Sequence, residues 1–205
     1  IVIPAYNEEK RIVHTLKRYT EYFDKELKKQ YEIFIVINGC KDNTERVVKN
    51  FAKKHKVVKY KDVGKVHAKG AALIKGFKIV EGDYIGFVDA DGSTPPNAFY
   101  DLLKQIGSYD GIIPSRWIKG SIVTPKQPLM RRIASRAFNI LVRVLFFLPY
   151  RDTQTGAKLF KKKALKTILP ELGFSAWGFD IDLLYLLKRS GYKIKEIPTH
   201  FYKRK

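Results

Sequence analysis

Four times in its first 106 residues the chain passes from a short β-branched or apolar run into a longer stretch with helical spacing. That alternation constrains the fold more than any other feature. Residues 1–4 are strand-like, and over 8–27 Ile12, Leu16, Tyr19 and Phe23 recur at helical intervals. A strand at 33–37 precedes a helix at 42–55, which Asp42 or Thr44 is placed to cap. A third pair covers 57–60 and 69–80, and a fourth 84–88 and 96–106, the last helix with proline near its start. Such alternation predicts an α/β fold with a doubly wound, mainly parallel sheet flanked by helices. At 205 residues the chain reads as a single domain.

Beyond Gly111-Ile112-Ile113-Pro114 the pattern changes. A loop rich in Lys, Gly, Ser and Pro is expected over 119–128. Arg131-Arg132-Ile133-Ala134-Ser135-Arg136 then leads into 137–148, apolar apart from Asn139 and Arg143. Two readings fit that run. It is a buried core helix, or it lies in a membrane interface, being too short to span, basic at its N-terminal end, and furnished with Phe138, Phe146 and Phe147. No run of about 18 or more apolar residues occurs, so no segment here is expected to cross a bilayer. The chain opens on Ile1 in mid-strand and closes on Lys203-Arg204-Lys205 after a strand-like run, so further residues are expected at both ends.

The chemistry points to the fourth strand. Tyr84-Ile85-Gly86-Phe87-Val88 runs straight into Asp89-Ala90-Asp91-Gly92. Two carboxylates separated by one residue at a strand's end can both be aimed at the C-terminal edge of a sheet, where open α/β folds bind ligands. Mg²⁺ and Mn²⁺ prefer oxygen ligands and typically take one or two carboxylates together with substrate phosphates. The pair therefore suggests a metal-bridged diphosphate, although a strand-end Asp-x-Asp also serves simply as a turn or helix cap. Neither a Gly-x-Gly-x-x-Gly turn nor a Walker loop is present. In their place the first strand enters Pro4-Ala5-Tyr6-Asn7-Glu8-Glu9, a turn before a helix N-terminus that offers backbone N–H groups, a tyrosine face and a carboxylate.

Charge adds a second constraint. With 40 Lys and Arg against 20 Asp and Glu, the net charge is +20. Acidic residues are too few to pair with the basic ones, so a contact with a polyanion is expected: phosphorylated substrates, anionic lipid headgroups or nucleic acid. The single Cys40 excludes an internal disulfide framework.

Taken in order, the segments resemble one family. Pro4-Ala5-Tyr6-Asn7-Glu8, Asn38-Gly39-Cys40-Lys41-Asp42-Asn43-Thr44, Lys69-Gly70-Ala71-Ala72 and Asp89-Ala90-Asp91-Gly92 are similar to the nucleotide-sugar half of family-2 glycosyltransferases, which have the GT-A fold. Ser115-Arg116, the run from Arg151 to Phe160, and Trp177-Gly178-Phe179-Asp180-Ile181-Asp182 resemble the polyprenyl-phosphate branch, the dolichyl-phosphate glucose and mannose synthases. The resemblance implies a donor half over 1–92 and an acceptor half over 93–205, with a C-terminal helical segment on the acceptor side. It implies that Pro4, Ala5, Tyr6, Glu8, Asn38, Asp42, Lys69 and Ala90 surround a nucleotide sugar. Asp89 and Asp91 would hold Mg²⁺ or Mn²⁺, with Ser93 as a third polar contact. Arg116 and Arg131 or Arg132 would hold the acceptor phosphate, and Asp180 and Asp182 would face the sugar or acceptor, with Trp177 nearby. Many relatives carry two aspartates where this chain has Ile37 and Asn38, and glycine where it has Pro114.

The implied reaction is inverting transfer of a hexose from UDP-glucose or GDP-mannose to dolichyl or polyprenyl phosphate, at the cytoplasmic face of an anionic membrane to which the chain is peripheral. A phosphate monoester, with its second pKa at about 6, is already a competent nucleophile and needs little help from a base. Positioning and electrostatics are then the main tasks of the protein. A polysaccharide synthase would attack with a neutral hydroxyl, and its Gln-x-x-Arg-Trp motif does not occur here. A basic nucleic-acid-binding module would show a recognised motif or an aromatic platform with clustered bases, and would not explain the paired carboxylates, so no nucleic-acid partner is expected.

Overall fold

Val2 and Ile3 face opposite sides of one sheet, and the alternation repeats in Phe87 and Val88 and again in Leu159 and Phe160. Strands buried on both faces in this way need helices on both. In the computed structural model, which describes residues 1–66, 68–124, 129–173 and 178–202 without the side chains of Arg131 and Tyr202, they have them. Trp177, residues 125–128 and the tail 203–205 lie outside the described residues.

The elements are β1 (Val2–Ala5), α1 (Ile12–Leu27), β2 (Ile33–Ile37), α2 (Thr44–Lys54), β3 (Val58–Asp62), α3 (Ala68–Ile79), β4 (Tyr84–Val88), α4 (Pro96–Gln105), β5 (Gly111–Ser115), β6 (Ile122–Thr124), α5 (Leu129–Phe146), β7 (Ala157–Lys161), α6 (Lys162–Ile168), α7 (Phe179–Arg189), β8 (Ile194–Pro198) and β9 (His200–Tyr202). The main sheet has the order β3-β2-β1-β4-β7-β5-β8, and β6 pairs with β9 in a second, two-stranded sheet. The strands β1 to β4 are mutually parallel where they pair, and β7 runs antiparallel between β4 and β5. One face is covered by α3, α6 and α7 around Leu73, Phe77, Phe87, Phe160, Leu165 and Leu183. The other is covered by α1 and α4 around Leu16, Tyr19, Phe23, Phe99 and Leu102.

The α/β expectation holds, and β2 and β4 have the expected bounds. The first helix begins later than the sequence suggests. Asn7 takes a positive φ of 54°, and the Glu8 carbonyl accepts the N–H groups of Arg11 and Ile12, so a turn occupies the stretch where the helix was expected to start. The expected loop over 119–128 contains the short strand β6, paired with β9. Of the two readings for 137–148, the core helix fails. Among the described side chains of α5 only Asn139 and Val142 are buried, whereas Met130, Ile133, Ile140, Leu141, Val144 and Leu145 are all more than half exposed. Val142, with Leu148 and Tyr150 just beyond the helix, packs on Ile113, Ile181 and Leu184, which fastens one edge of α5 to β5 and α7. No helix among the described residues is long and apolar enough to cross a membrane.

Candidate active site

From β1 the chain turns outward through β2 to β3, then crosses back to place β4 on the other side of β1. The C-terminal ends of β1 and β4 therefore flank a topological switch point, where a parallel sheet leaves a crevice. A cleft of about 550 Å³ lies there. Pro4 and Ala5 at the end of β1 line it with Tyr6, Glu8 and Arg11 beyond; Asn38 follows β2; Lys65, Val66, Ala68 and Lys69 come from the entry to α3; Asp89, Ala90 and Asp91 follow β4.

The Asp-Ala-Asp segment is held from three sides. The Asp89 N–H donates to the Gly156 carbonyl at 2.9 Å, and the Thr15 hydroxyl donates to the Ala90 carbonyl at 2.8 Å. Gly92 turns the chain with φ at 69°, and a Cβ there would sit 2.9 Å from Thr15 Oγ1. The Ser93 N–H donates to Asp91 Oδ1 at 2.9 Å. Gly156 gives Asp89 its room: a Cβ on it would fall 2.2 Å from Asp89 Oδ2.

Asp89 is ion-paired with Lys69. Burial pushes the Asp89 carboxyl above its ordinary range, Lys69 opposes this, and Asp91 and Asp180 add to it. Burial depresses the Lys69 amine, but Asp89, Asp180 and Asp91 outweigh it and hold the amine above its usual value. Nearby, Lys158 Nζ donates to Asp180 Oδ1 at 2.6 Å. The cleft edge is thus a compact set of carboxylates interleaved with ammonium groups.

At the other end, Glu8 takes a two-pronged pair from Arg11, at 2.8 and 2.9 Å. Burial raises the Glu8 carboxyl, and Arg11 pulls against that rise. Asn38 is buried, and its Oδ1 accepts the Val66 N–H at 2.7 Å. Asp42 stands behind the cleft wall rather than on it. Its Oδ1 accepts the Thr44 N–H at 3.0 Å and hydroxyl at 2.5 Å, and its Oδ2 accepts the Glu9 N–H at 3.1 Å, tying the second loop to the first.

Arg116 and Arg132 meet in a separate cavity of about 360 Å³ with Trp117, Lys119 and Val123. Arg116 is not free to swing. Its Nε and Nη2 donate to the two oxygens of the nearly buried Asp152 at 2.8 and 2.9 Å. The Arg131 side chain lies outside the described residues. Asp182 does not line the cleft; its Oδ2 lies 3.6 Å from where a Cβ on Gly173 would stand.

The structure thus gathers Pro4, Ala5, Tyr6, Glu8, Asn38, Lys69, Asp89, Ala90 and Asp91 at one cleft. Asp42 and Ser93 support its loops, and Asp180 reaches it electrostatically. Sequence reasoning missed Arg11, Lys65, Asp152 and Lys158. The i, i+3 spacing of Glu8 and Arg11 was a readable signal for the first; nothing in the sequence marks Lys158 as buried.

The donor set suits a hard divalent ion. Among the described residues no group of three or more His, Cys, Asp or Glu side chains is placed to hold a metal. Two carboxylates at an open cleft match an ion that completes its shell with water and substrate phosphates.

Residues 1–169 match Glycosyl transferase family 2. The chain belongs to that family. It is 32% identical over 211 residues to a dolichyl-phosphate beta-glucosyltransferase of Trichomonas vaginalis, covering 98% of this chain and 62% of that protein. It is 31% identical over 214 residues to the dolichyl-phosphate beta-glucosyltransferase of Dictyostelium discoideum, covering 98% of this chain and 65% of the relative. The chain therefore spans a little under two thirds of the length of these relatives. In three dimensions it is similar to the mannosyltransferase PcManGT from Pyrobaculum calidifontis, solved in complex with GDP-Man and Mn²⁺, with a TM-score of 0.70 at 18% identity over 98% of this chain and 55% of that one. That likeness speaks for the fold, which is GT-A, as the sequence resemblance implied.

Proposed function

We propose that this domain transfers a hexose, with inversion, from a nucleotide-diphosphate sugar to dolichyl or polyprenyl phosphate at a membrane surface. The observation that carries the reading is the Asp89–Lys69–Asp91 cluster at the mouth of a nucleotide-sized cleft on the switch point of the sheet. UDP-glucose is favoured over GDP-mannose as donor because the relatives named above are beta-glucosyltransferases. A β-linked product from an α-linked donor requires inversion.

Within the domain, residues 1–92 form the donor half and 93–205 the acceptor half. Asp89 and Asp91 would hold Mg²⁺ or Mn²⁺, which when bound neutralises the departing diphosphate. Lys69 supplies a further positive charge at the same spot. Tyr6, Glu8 and Asn38 surround the nucleoside. Ser93 acts on Asp91 through its backbone N–H, and Asp42 acts by fixing the loop that carries Glu8 and Glu9. Arg116, braced by Asp152, and Arg132 present cations to the acceptor phosphate. Asp180 faces the hexose, and Asp182 belongs to the same helix start.

The acceptor's isoprenoid tail stays in the bilayer, so its phosphate is collected at the interface. The exposed apolar face of α5, with basic residues at its N-terminal end, supports docking there without spanning. The cytoplasmic leaflet, rich in anionic lipid, suits the net charge of +20.

Calorimetric titration with UDP-glucose and GDP-mannose, each with Mn²⁺ and with chelator, tests the donor assignment. Metal-dependent binding of UDP-glucose is expected, and binding that ignores the metal would refute it.

A further inference from the structure

Lys158 is unusual. It sits in β7 opposite Phe87 of β4, its side chain is wholly buried, and its ammonium lies 5.3 Å from the Phe87 ring centroid. The amine donates to the Thr155 carbonyl at 3.0 Å and to Asp180 Oδ1 at 2.6 Å. Lysine is almost never fully buried without a partner, and an apolar side chain of similar volume at such a place is commonly no worse for stability. Burial pushes this amine below its ordinary range, and Asp180 is the group that most opposes the fall. Fold stability alone therefore does not account for a lysine here.

We propose that Lys158 is a positioning residue for the transferred sugar: it acts through Asp180, holding that carboxylate beside the Asp89–Lys69 pair to accept hydrogen bonds from hexose hydroxyls. The inference rests on the donor reading above. Asp180 lies in the first turn of α7 next to Phe179, which packs so closely on the residue after Lys69 that a Cβ on Gly70 would fall 2.7 Å from Phe179 Cβ, and the Lys69 and Lys158 ammonium groups lie 5.0 and 5.3 Å from the same Phe87 ring. A carboxylate has no favourable contact to make with an anionic diphosphate. A hexose, by contrast, offers a ring of hydroxyl donors, and an ionised carboxylate accepts them strongly. Lys158 engages one oxygen from below, which fixes the rotamer and offsets the repulsion between Asp180 and Asp89. The nucleotide itself is bound by other residues, so the effect of Lys158 belongs to the sugar.

The test compares UDP-glucose with UDP, both with Mn²⁺, by calorimetry on wild type, Lys158→Met, Asp180→Asn and the double variant. Expected is at least a tenfold loss of UDP-glucose affinity in each single variant, with UDP affinity within twofold of wild type. Lys158→Met should melt no lower than wild type. Asp180→Asn, which strands a buried ammonium, should melt lower, and adding Lys158→Met should restore the melting temperature. The double variant should lose no more UDP-glucose affinity than either single one, since the two residues act as a unit. Equal losses for UDP and UDP-glucose, additive losses in the double variant, or unchanged UDP-glucose binding would each overturn the proposal. A wild type that binds neither UDP-glucose nor GDP-mannose would overturn the donor reading itself, and this inference with it.

Discussion

Gly156→Ala is the substitution whose effect is most directly worked from the geometry. The new Cβ would stand 2.2 Å from Asp89 Oδ2 and 2.9 Å from Asp89 Cγ. The carboxylate must retreat by roughly 1 Å to regain van der Waals contact. Twisting its torsion off a rotamer costs about 0.5–1.5 kcal/mol. Gly156 does not lie at positive φ, so alanine also gains about 0.4–1 kcal/mol by restricting the unfolded chain. The two terms nearly cancel, and unfolding free energy should change by no more than about 1 kcal/mol. Activity should not be spared, because a displacement of about 1 Å at a reacting centre can cost ~100-fold, or roughly 2.7 kcal/mol of transition-state stabilisation. Metal-dependent transfer from UDP-glucose and thermal unfolding, measured on the same preparations, separate the two effects. A variant that turns over within threefold of wild type would show that the position of Asp89 does not matter to the reaction. Global unfolding would show that Gly156 serves the core.

Three further outcomes follow from the same structure. Asp89→Asn and Asp91→Asn should each abolish metal-dependent transfer with stability changed by about 1 kcal/mol or less, since the Asp89–Lys69 pair is partly exposed and an amide oxygen at position 91 can still accept the Ser93 N–H; chelator-resistant turnover in both would sink the metal assignment. Arg116→Lys loses the fork that grips Asp152, so it should lower stability by about 2 kcal/mol in denaturant titrations and impair transfer to lipid phosphate more than nucleotide binding. The triple change Leu141→Ser, Val144→Ser, Phe147→Ser removes exposed side chains only, so melting should hold while flotation with anionic liposomes falls; equal flotation by both proteins would remove α5 from the membrane contact.

Much of residues 1–92 was legible because the signals there are local. The strands at 33–37 and 84–88 announce themselves by unbroken apolar runs, and Asp89 and Asp91 follow directly at a strand's end. What escaped depends on contacts distant in the chain. The antiparallel place of β7 between β4 and β5 is a pairing between segments far apart in the chain, Tyr84 with Lys161, and no local pattern encodes it. Lys158 reads as a polar break in a short strand until Asp180 arrives from α7. Asp42 reads equally as a nucleotide contact or a cap, and only the bonds from Thr44 and Glu9 show how its oxygens are used. Periodicity in 137–148 could not choose between core and interface because the run is apolar on nearly all sides; exposure along α5 removes the core reading.

Transfer itself is measured by incubating the protein with radiolabelled UDP-glucose, Mn²⁺ and dolichyl phosphate in anionic liposomes, then extracting the lipid. Label is expected in an acid-labile, β-linked glucosyl phosphate lipid, formed only with metal and lost in Asp89→Asn. Label recovered in free glucose or in a saccharide, with none in the lipid phosphate, would contradict the proposed transfer.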